Sequence, residues 1–153
     1  MRLTKSDVFC MIPWIHLHAF PNGQAYPCCL GDQDHPIGNL HNNTIREVWN
    51  GQPYKTMRKN MLEEKPCVEC TKCYEQEKMG FVSMRNSSNK SFGHNIGIVD
   101  DTHEDGQFDD FKLRYYDIRF SNLCNMKCRT CGGWFSSSWH DEEQDLYGKR
   151  DYP

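Results

Sequence analysis

The sequence predicts an α+β fold: a small cysteine-rich β-hairpin with helices, followed by a strand, a cysteine loop and a further helix. Three observations carry this reading. Residues flanking Pro21-Asn22-Gly23 pattern as two strands, helix signals follow from Thr44 onward, and a β-rich run from Lys112 to Phe120 stands before Cys124-Asn-Met-Lys-Cys128-Arg-Thr-Cys131. The 153 residues suffice for one ordinary domain or two small ones, and 37% hydrophobic content is low for a large core. Something besides burial is expected to hold the chain together.

Taken in order, Trp14 to Phe20 alternates well enough for a strand, and Gln24 to Cys28 returns as its partner, so Cys10 and Cys28 flank one hairpin. Thr44-Ile-Arg-Glu47 is a capping-box pattern that opens a short helix through Val48 and Trp49, which Gly51 ends. A second helix is expected from Pro53 to about Glu63, with Tyr54, Met57, Met61 and Leu62 near one face as core, and Pro66 stopping it before Cys67. A third helix carries Cys70, Cys73 and Glu77 on adjacent turns, a spacing that suits a common metal. From Asp100 to Asp110 six acidic residues and no Lys or Arg read as a solvated loop. The domain reading is therefore a cysteine-rich region over 1–92, an acidic linker over 93–111 and a strand-loop-helix over 112–153. Its helix, Ser136 to Tyr147, has Ser138 and Asp141 as an N-cap arrangement, with Asp141, Glu142 and Glu143 favouring the positive start.

Nine cysteines are many for this length, and four of the gaps between them are three or four residues, which favours shared coordination over disulfides. The first ten residues lack an apolar leader and no run is long enough to span a membrane, so a reducing cytoplasm is expected. A net charge of -3 gives no basic footprint for nucleic acid. Three thiolates presented from Cys124, Cys128 and Cys131 can hold three irons of a cubic 4Fe-4S cluster and leave the fourth iron open. Half of a zinc site, completed by His140, is the alternative. Gly132 and Gly133 permit close backbone approach to a ligand, or simply a turn. Upstream, Cys10, Cys28, Cys67, Cys70 and Cys73 are five candidate ligands, with zinc competing because sulfur-rich tetrahedral sites use similar spacing. Cys29 is read as structural, on the strand face opposite Cys28. His16 and His18 share a strand face and are read as packed or surface histidines, and Trp14, Trp49, Trp134 and Trp139 as packing anchors.

The Cys124-Asn-Met-Lys-Cys128-Arg-Thr-Cys131 loop, following a strand, resembles the cluster loop of radical S-adenosylmethionine (SAM) enzymes. That resemblance implies that the open iron binds the amino and carboxylate groups of SAM, and that the loop follows the first strand of a partial (β/α)6 TIM-type barrel. Thr130 departs from the family, in which an aromatic commonly precedes the last cysteine. Twelve residues separate Cys10 from Gly23 and four separate Gly23 from Cys28, which resembles the Cx9–15Gx4C signature of SPASM and twitch domains. It implies an auxiliary 4Fe-4S cluster held by Cys10, Cys28 and two of Cys67, Cys70 and Cys73, the choice among these being open.

Over most of residues 7–133 the resemblance is to twitch-domain radical SAM proteins. It implies catalytic roles for Cys124, Cys128 and Cys131, cofactor contacts at Gly132 and Gly133, and reductive cleavage of SAM to a 5′-deoxyadenosyl radical. A peptide or protein substrate and a reductant such as flavodoxin or ferredoxin are the partners it implies. A whole barrel of this type needs roughly 200 residues. Only 22 follow Cys131. The expectation is thus the N-terminal portion of a longer enzyme, binding clusters with little or no turnover alone. From a different class, a small zinc-binding or electron-transfer module without SAM chemistry is the alternative.

Overall fold

Backbone pairing begins at the Pro21-Asn22-Gly23 turn of this computed structural model, which describes residues 3–117, 121–150 and 152. Strand β1 (His18–Ala19) pairs antiparallel with β2 (Gln24–Tyr26), and β2 pairs with β3 (Gly38–Asn39), in the order β1-β2-β3. Ala19 faces Ala25 and Ala25 faces Gly38. Gly23 sits at φ +80°, where its missing side chain leaves room for His41 and Asn39, and its carbonyl accepts a hydrogen bond from Leu40 N at 2.7 Å. Small sheet plus helices make a mixed architecture, in agreement with the α+β class.

The expected strand from Trp14 to Phe20 is much shorter in fact. Ile12–Trp14 is a 3₁₀ turn opened by Pro13, and strand geometry starts only at His18. Every residue from Phe9 to His18 is buried, so this segment is covered on all sides and needs no alternation. β2 likewise ends before Pro27, which has no N–H for the ladder. Cys28 lies in the turn that follows, closed by Gly31 N donating to the Cys28 carbonyl at 3.0 Å.

Helix α1 (Ile45–Trp49) starts with the full capping box: Thr44 Oγ accepts from Glu47 N at 3.2 Å, and the Glu47 carboxylate accepts from Thr44 N at 2.7 Å. Helix α2 (Gln52–Leu62) follows with Tyr54, Met57, Arg58 and Met61 buried on one face. Arg58 is the member that apolar patterning does not anticipate. It is fully buried, with Nε donating to Pro13 O at 2.9 Å, Nη1 donating to Trp49 O at 2.8 Å, and the rings of Tyr54 and Trp49 at 4.6 and 4.7 Å. A 3₁₀ turn, Val68–Cys70, leads into α3 (Thr71–Lys78).

Helix α4 (Met84–Phe92) carries a second capping box, Ser83 with Asn86, and runs into a 3₁₀ segment, Gly93–Asp101. In the stretch read as a solvated loop, the six acidic residues are exposed as expected, but Phe108 is fully buried and Gly106 is pinned. Trp49 Nε1 and Asn50 Nδ2 donate to the Phe108 carbonyl at 3.2 and 3.1 Å, and Asp105 pairs with Lys55. The charged side chains stay in water while the backbone docks on α1 and α2.

Residues 112–117 of the expected strand show no strand geometry, and Ile118, Arg119 and Phe120 lie outside the described residues. Arg114 N and Tyr115 N both donate to the Ile15 carbonyl, at 2.8 and 3.2 Å, so two donors converge on one acceptor instead of forming a ladder. The final elements are a 3₁₀ turn, Ser137–Trp139, and α5 (His140–Tyr147). Among the described residues no helix is long and apolar enough to cross a membrane.

Candidate metal centres

Four cysteines from three distant segments line one cavity: Cys10 before the Ile12–Trp14 turn, Cys28 in the turn after β2, Cys70 at the end of the Val68–Cys70 turn and Cys73 in the first turn of α3. The other walls are mainly apolar, among them Ile12, Leu30, Met61 and Met84. Cys70 is the N-cap residue of α3 and Cys73 lies in its first turn, and both line the cavity. Cys67, by contrast, is in extended conformation ahead of that turn. Its thiol lies 3.6 Å from the Met57 carbonyl and 3.9 Å from that of Lys65, and it does not line the shared cavity. None of the nine cysteines is in a disulfide.

Burial pushes the Cys10 and Cys70 thiols well above the ordinary range and Cys28 up to about 11, because an unpaired thiolate is costly in an apolar cavity. Backbone N–H groups work against that cost: Ile12 hydrogen-bonds to Cys10, and Leu30 and Gly31 to Cys28. Such a set suits a cationic guest that supplies the missing positive charge. Among the described residues no three His, Cys, Asp or Glu groups sit close enough to hold one metal ion. A tetrahedral zinc needs all four sulfurs about 2.3 Å from one centre. A cluster takes one thiolate at each of several irons and so suits a wider set.

Residues 10–74 match the family model of the SPASM iron-sulfur cluster-binding domain. The match supports the SPASM- or twitch-like reading of the N-terminal region and indicates iron-sulfur cluster binding there. No curated protein and no solved structure matches the chain.

Other residues considered for the SPASM-like segment have different partners. Glu77, on α3 with Cys73, faces Arg85 of α4 in an ion pair, so it is not part of the cysteine cavity. The Arg85 guanidinium is almost fully buried, and its Nη1 also donates to Ser6 O and Phe9 O, each at 2.9 Å. It lines the cavity beside Cys10, and Glu69 is a second charged residue in the lining. Arg85 gave no local sequence signal, since its partner is eight residues away across a turn. His16 donates from Nδ1 to Tyr115 O at 3.0 Å and meets that ring at a tilt with centroids 4.4 Å apart, while His18 lies 3.1 Å from Asp117, so both are packed histidines. Trp14 and Trp49 are core anchors as read. Cys29 lies beyond the end of β2, so strand alternation does not separate it from Cys28; the turn does.

The second group is built differently. Cys124 and Cys128 are exposed and Cys131 half-buried, on a loop that precedes α5. Three consecutive serines hold this loop: Ser138 Oγ donates to Cys124 O at 2.6 Å, Ser136 Oγ to Met126 O at 2.7 Å, and Ser137 N to Asn122 O at 2.8 Å. Ser138 therefore does not cap the last helix as the sequence suggested; the residue at that position is Trp139, without a side-chain cap. The close approach that Gly132 and Gly133 permit is made by this chain's own side chains. Gly133 N donates to Glu143 Oε1 at 2.9 Å, Tyr152 packs on Gly133, and Tyr152 OH donates to Glu143 Oε2 at 2.5 Å. His140 Nε2 donates to the Gly133 carbonyl at 2.9 Å, which leaves Nδ1 as the ring nitrogen that a zinc reading would use.

Proposed function

We propose that the protein is an iron-sulfur protein with two cluster sites and that it takes part in radical SAM chemistry. The observation that carries this reading is the convergence of Cys10, Cys28, Cys70 and Cys73 on one cavity within the segment that matches the SPASM model. These four are the proposed ligands of an auxiliary 4Fe-4S cluster, with Cys67 left as a packed thiol. Cys124, Cys128 and Cys131 are the proposed ligands of a second cluster, whose exposure leaves a coordination position accessible to SAM. When bound there, the cluster supplies the electron for reductive cleavage of SAM to methionine and a 5′-deoxyadenosyl radical.

The chain's own residues do the positioning. Ser136, Ser137 and Ser138 fix the carbonyls of Met126, Asn122 and Cys124 in the loop that carries the three cysteines. Met61, Met84 and Ile12 keep water from the auxiliary cavity, and amide donors from Ile12, Leu30 and Gly31 stabilise negative charge on the cysteine sulfurs. The proposed organisation is an auxiliary region over 1–92, a connector over 93–111 and the opening of a partial barrel over 112–153. A peptide or protein substrate, a flavodoxin- or ferredoxin-type reductant and a reducing cytoplasmic setting belong to the same proposal.

The test is anaerobic reconstitution with iron and sulfide, followed by iron, sulfide and zinc analysis and EPR with and without SAM. Two clusters are expected, one with a SAM-perturbed signal that Cys128→Ala abolishes. Cys70→Ala should remove the other, and Cys67→Ala should retain it. Stoichiometric zinc with no sulfide would overturn the reading in favour of a zinc module.

A further inference from the structure

Trp134 and Phe135, just past Cys131, are 40% and 46% exposed, yet each has its ring centre 6.4 Å from that of Phe20. Phe20 stands at the end of the hairpin, where its N–H donates to Gln24 O at 3.0 Å and its carbonyl accepts from Gly23 N at 2.9 Å. The same ring meets Tyr26 edge-on at 5.6 Å. Tyr26 is buried, donates its hydroxyl to Gln24 Oε1 at 2.9 Å, and precedes Cys28 by two residues. On the other side, Phe135 N and Ser136 N both donate to Gly132 O, at 2.9 and 3.0 Å, so the two aromatic rings are tied to the turn that contains Cys131. One side chain thus touches the immediate flank of a cysteine from each group. Edge-on and tilted ring contacts of this kind are directional as well as apolar.

We propose that Phe20 is the positioning residue that docks the Cys124–Cys131 loop on the hairpin and thereby sets the geometry between the two cysteine groups. The docking itself rests on the contacts above. Its consequence, a fixed path for electrons between two clusters, rests on the proposed function. Electron transfer falls steeply with separation, so a loop that drifts from the hairpin loses that path while each group keeps its own ligands.

Hydrogen exchange on the full chain, reconstituted as above, tests the docking. Phe20→Ala is expected to raise exchange at least tenfold across 131–139 and to leave α1 and α2 unchanged, whereas Phe20→Tyr restores wild-type protection. Unchanged exchange across 131–139 in Phe20→Ala overturns the proposal. Should that variant also lose protection in α2, the reciprocal variant decides: Trp134→Ala with Phe135→Ala is expected to raise exchange of residues 18–26 several-fold, and no change there overturns the proposal. In the reduced protein, magnetic coupling between the two cluster signals is expected to weaken in Phe20→Ala with the iron content unaltered. A wild-type protein with only one cluster would instead strike the two-cluster reading, and the exchange data would still decide the docking.

Discussion

Arg58 occupies a place in α2 that the i, i+3, i+4, i+7 rule assigns to an apolar residue. Its charge is tolerated because three aromatic rings surround the guanidinium and two main-chain carbonyls accept from it. Burial lowers its pKa to about 10, so it remains charged at neutral pH. His16 poses the opposite problem, a titratable ring buried where charge is unwelcome. Burial is the main cause that holds it below the ordinary 6.5, reinforced by neighbouring His18 and partly offset by the Tyr115 carbonyl and Asp117. A histidine depressed in the folded state contributes its full stability above pH 6.5 and loses it as pH falls through the lower folded value. Wild-type stability is therefore expected to fall as the pH drops below 6.5. His16→Gln, which cannot be protonated, should flatten that part of the profile. Urea midpoints of both chains at several pH values check this, and parallel profiles would remove His16 as the source.

Helix ends were legible because they are local. Thr44 and Glu47 form the box their spacing specifies, whereas Ser83 and Asn86 form the same box unforeseen, since asparagine replaces the usual glutamate or glutamine. The Trp14–Phe20 strand was misread because burial on every side is a tertiary property that erases the alternation on which strands are recognised. For the site, cysteine spacing picked out the two candidate groups, but which of Cys67, Cys70 and Cys73 lines the cavity with Cys10 and Cys28 depends on how the turn before α3 is placed, which spacing does not carry. The connector shows the same division between pattern and placement. Its acidity was visible, but the pairing of Gly106 against α2 was not. At φ +88°, with the Lys55 carbonyl filling the space of a Cβ, Gly106→Ala meets both backbone strain and overlap. It should cost roughly 3 kcal/mol. Gly97, which has nothing within 4 Å of its Cβ position and no positive φ, is the contrast. Gly97→Ala should be neutral or stabilising by up to about 1 kcal/mol. Chemical denaturation of both variants measures the pair, and equal effects would contradict the docking of the connector.

At the scale of the molecule, the apolar core and the cysteine cavity are one continuous body. Cys10 and Met61 belong to the buried cluster formed by Phe9, Met11, Trp14, Trp49 and Tyr54, and the same two residues line the cavity. The core is small, because 37% of the chain is hydrophobic and mean hydropathy is -0.82. Three segments meet at the cavity, and two of them, the turn after β2 and the start of α3, carry little buried apolar surface of their own. A group that binds all three in the folded state and not in the unfolded chain stabilises the whole fold through that linkage. Iron removal by a chelator under anaerobic conditions should therefore lower the thermal midpoint by well over ten degrees. The loss should not be uniform. Residues 27–31 and α3 should lose hydrogen-exchange protection first, while α1 and α2, held by Arg58, Trp49 and Phe108, keep theirs. Exchange that rises equally everywhere would mean that the core cannot stand without the cluster, and no change at all would mean that the cysteine cavity binds nothing the fold depends on.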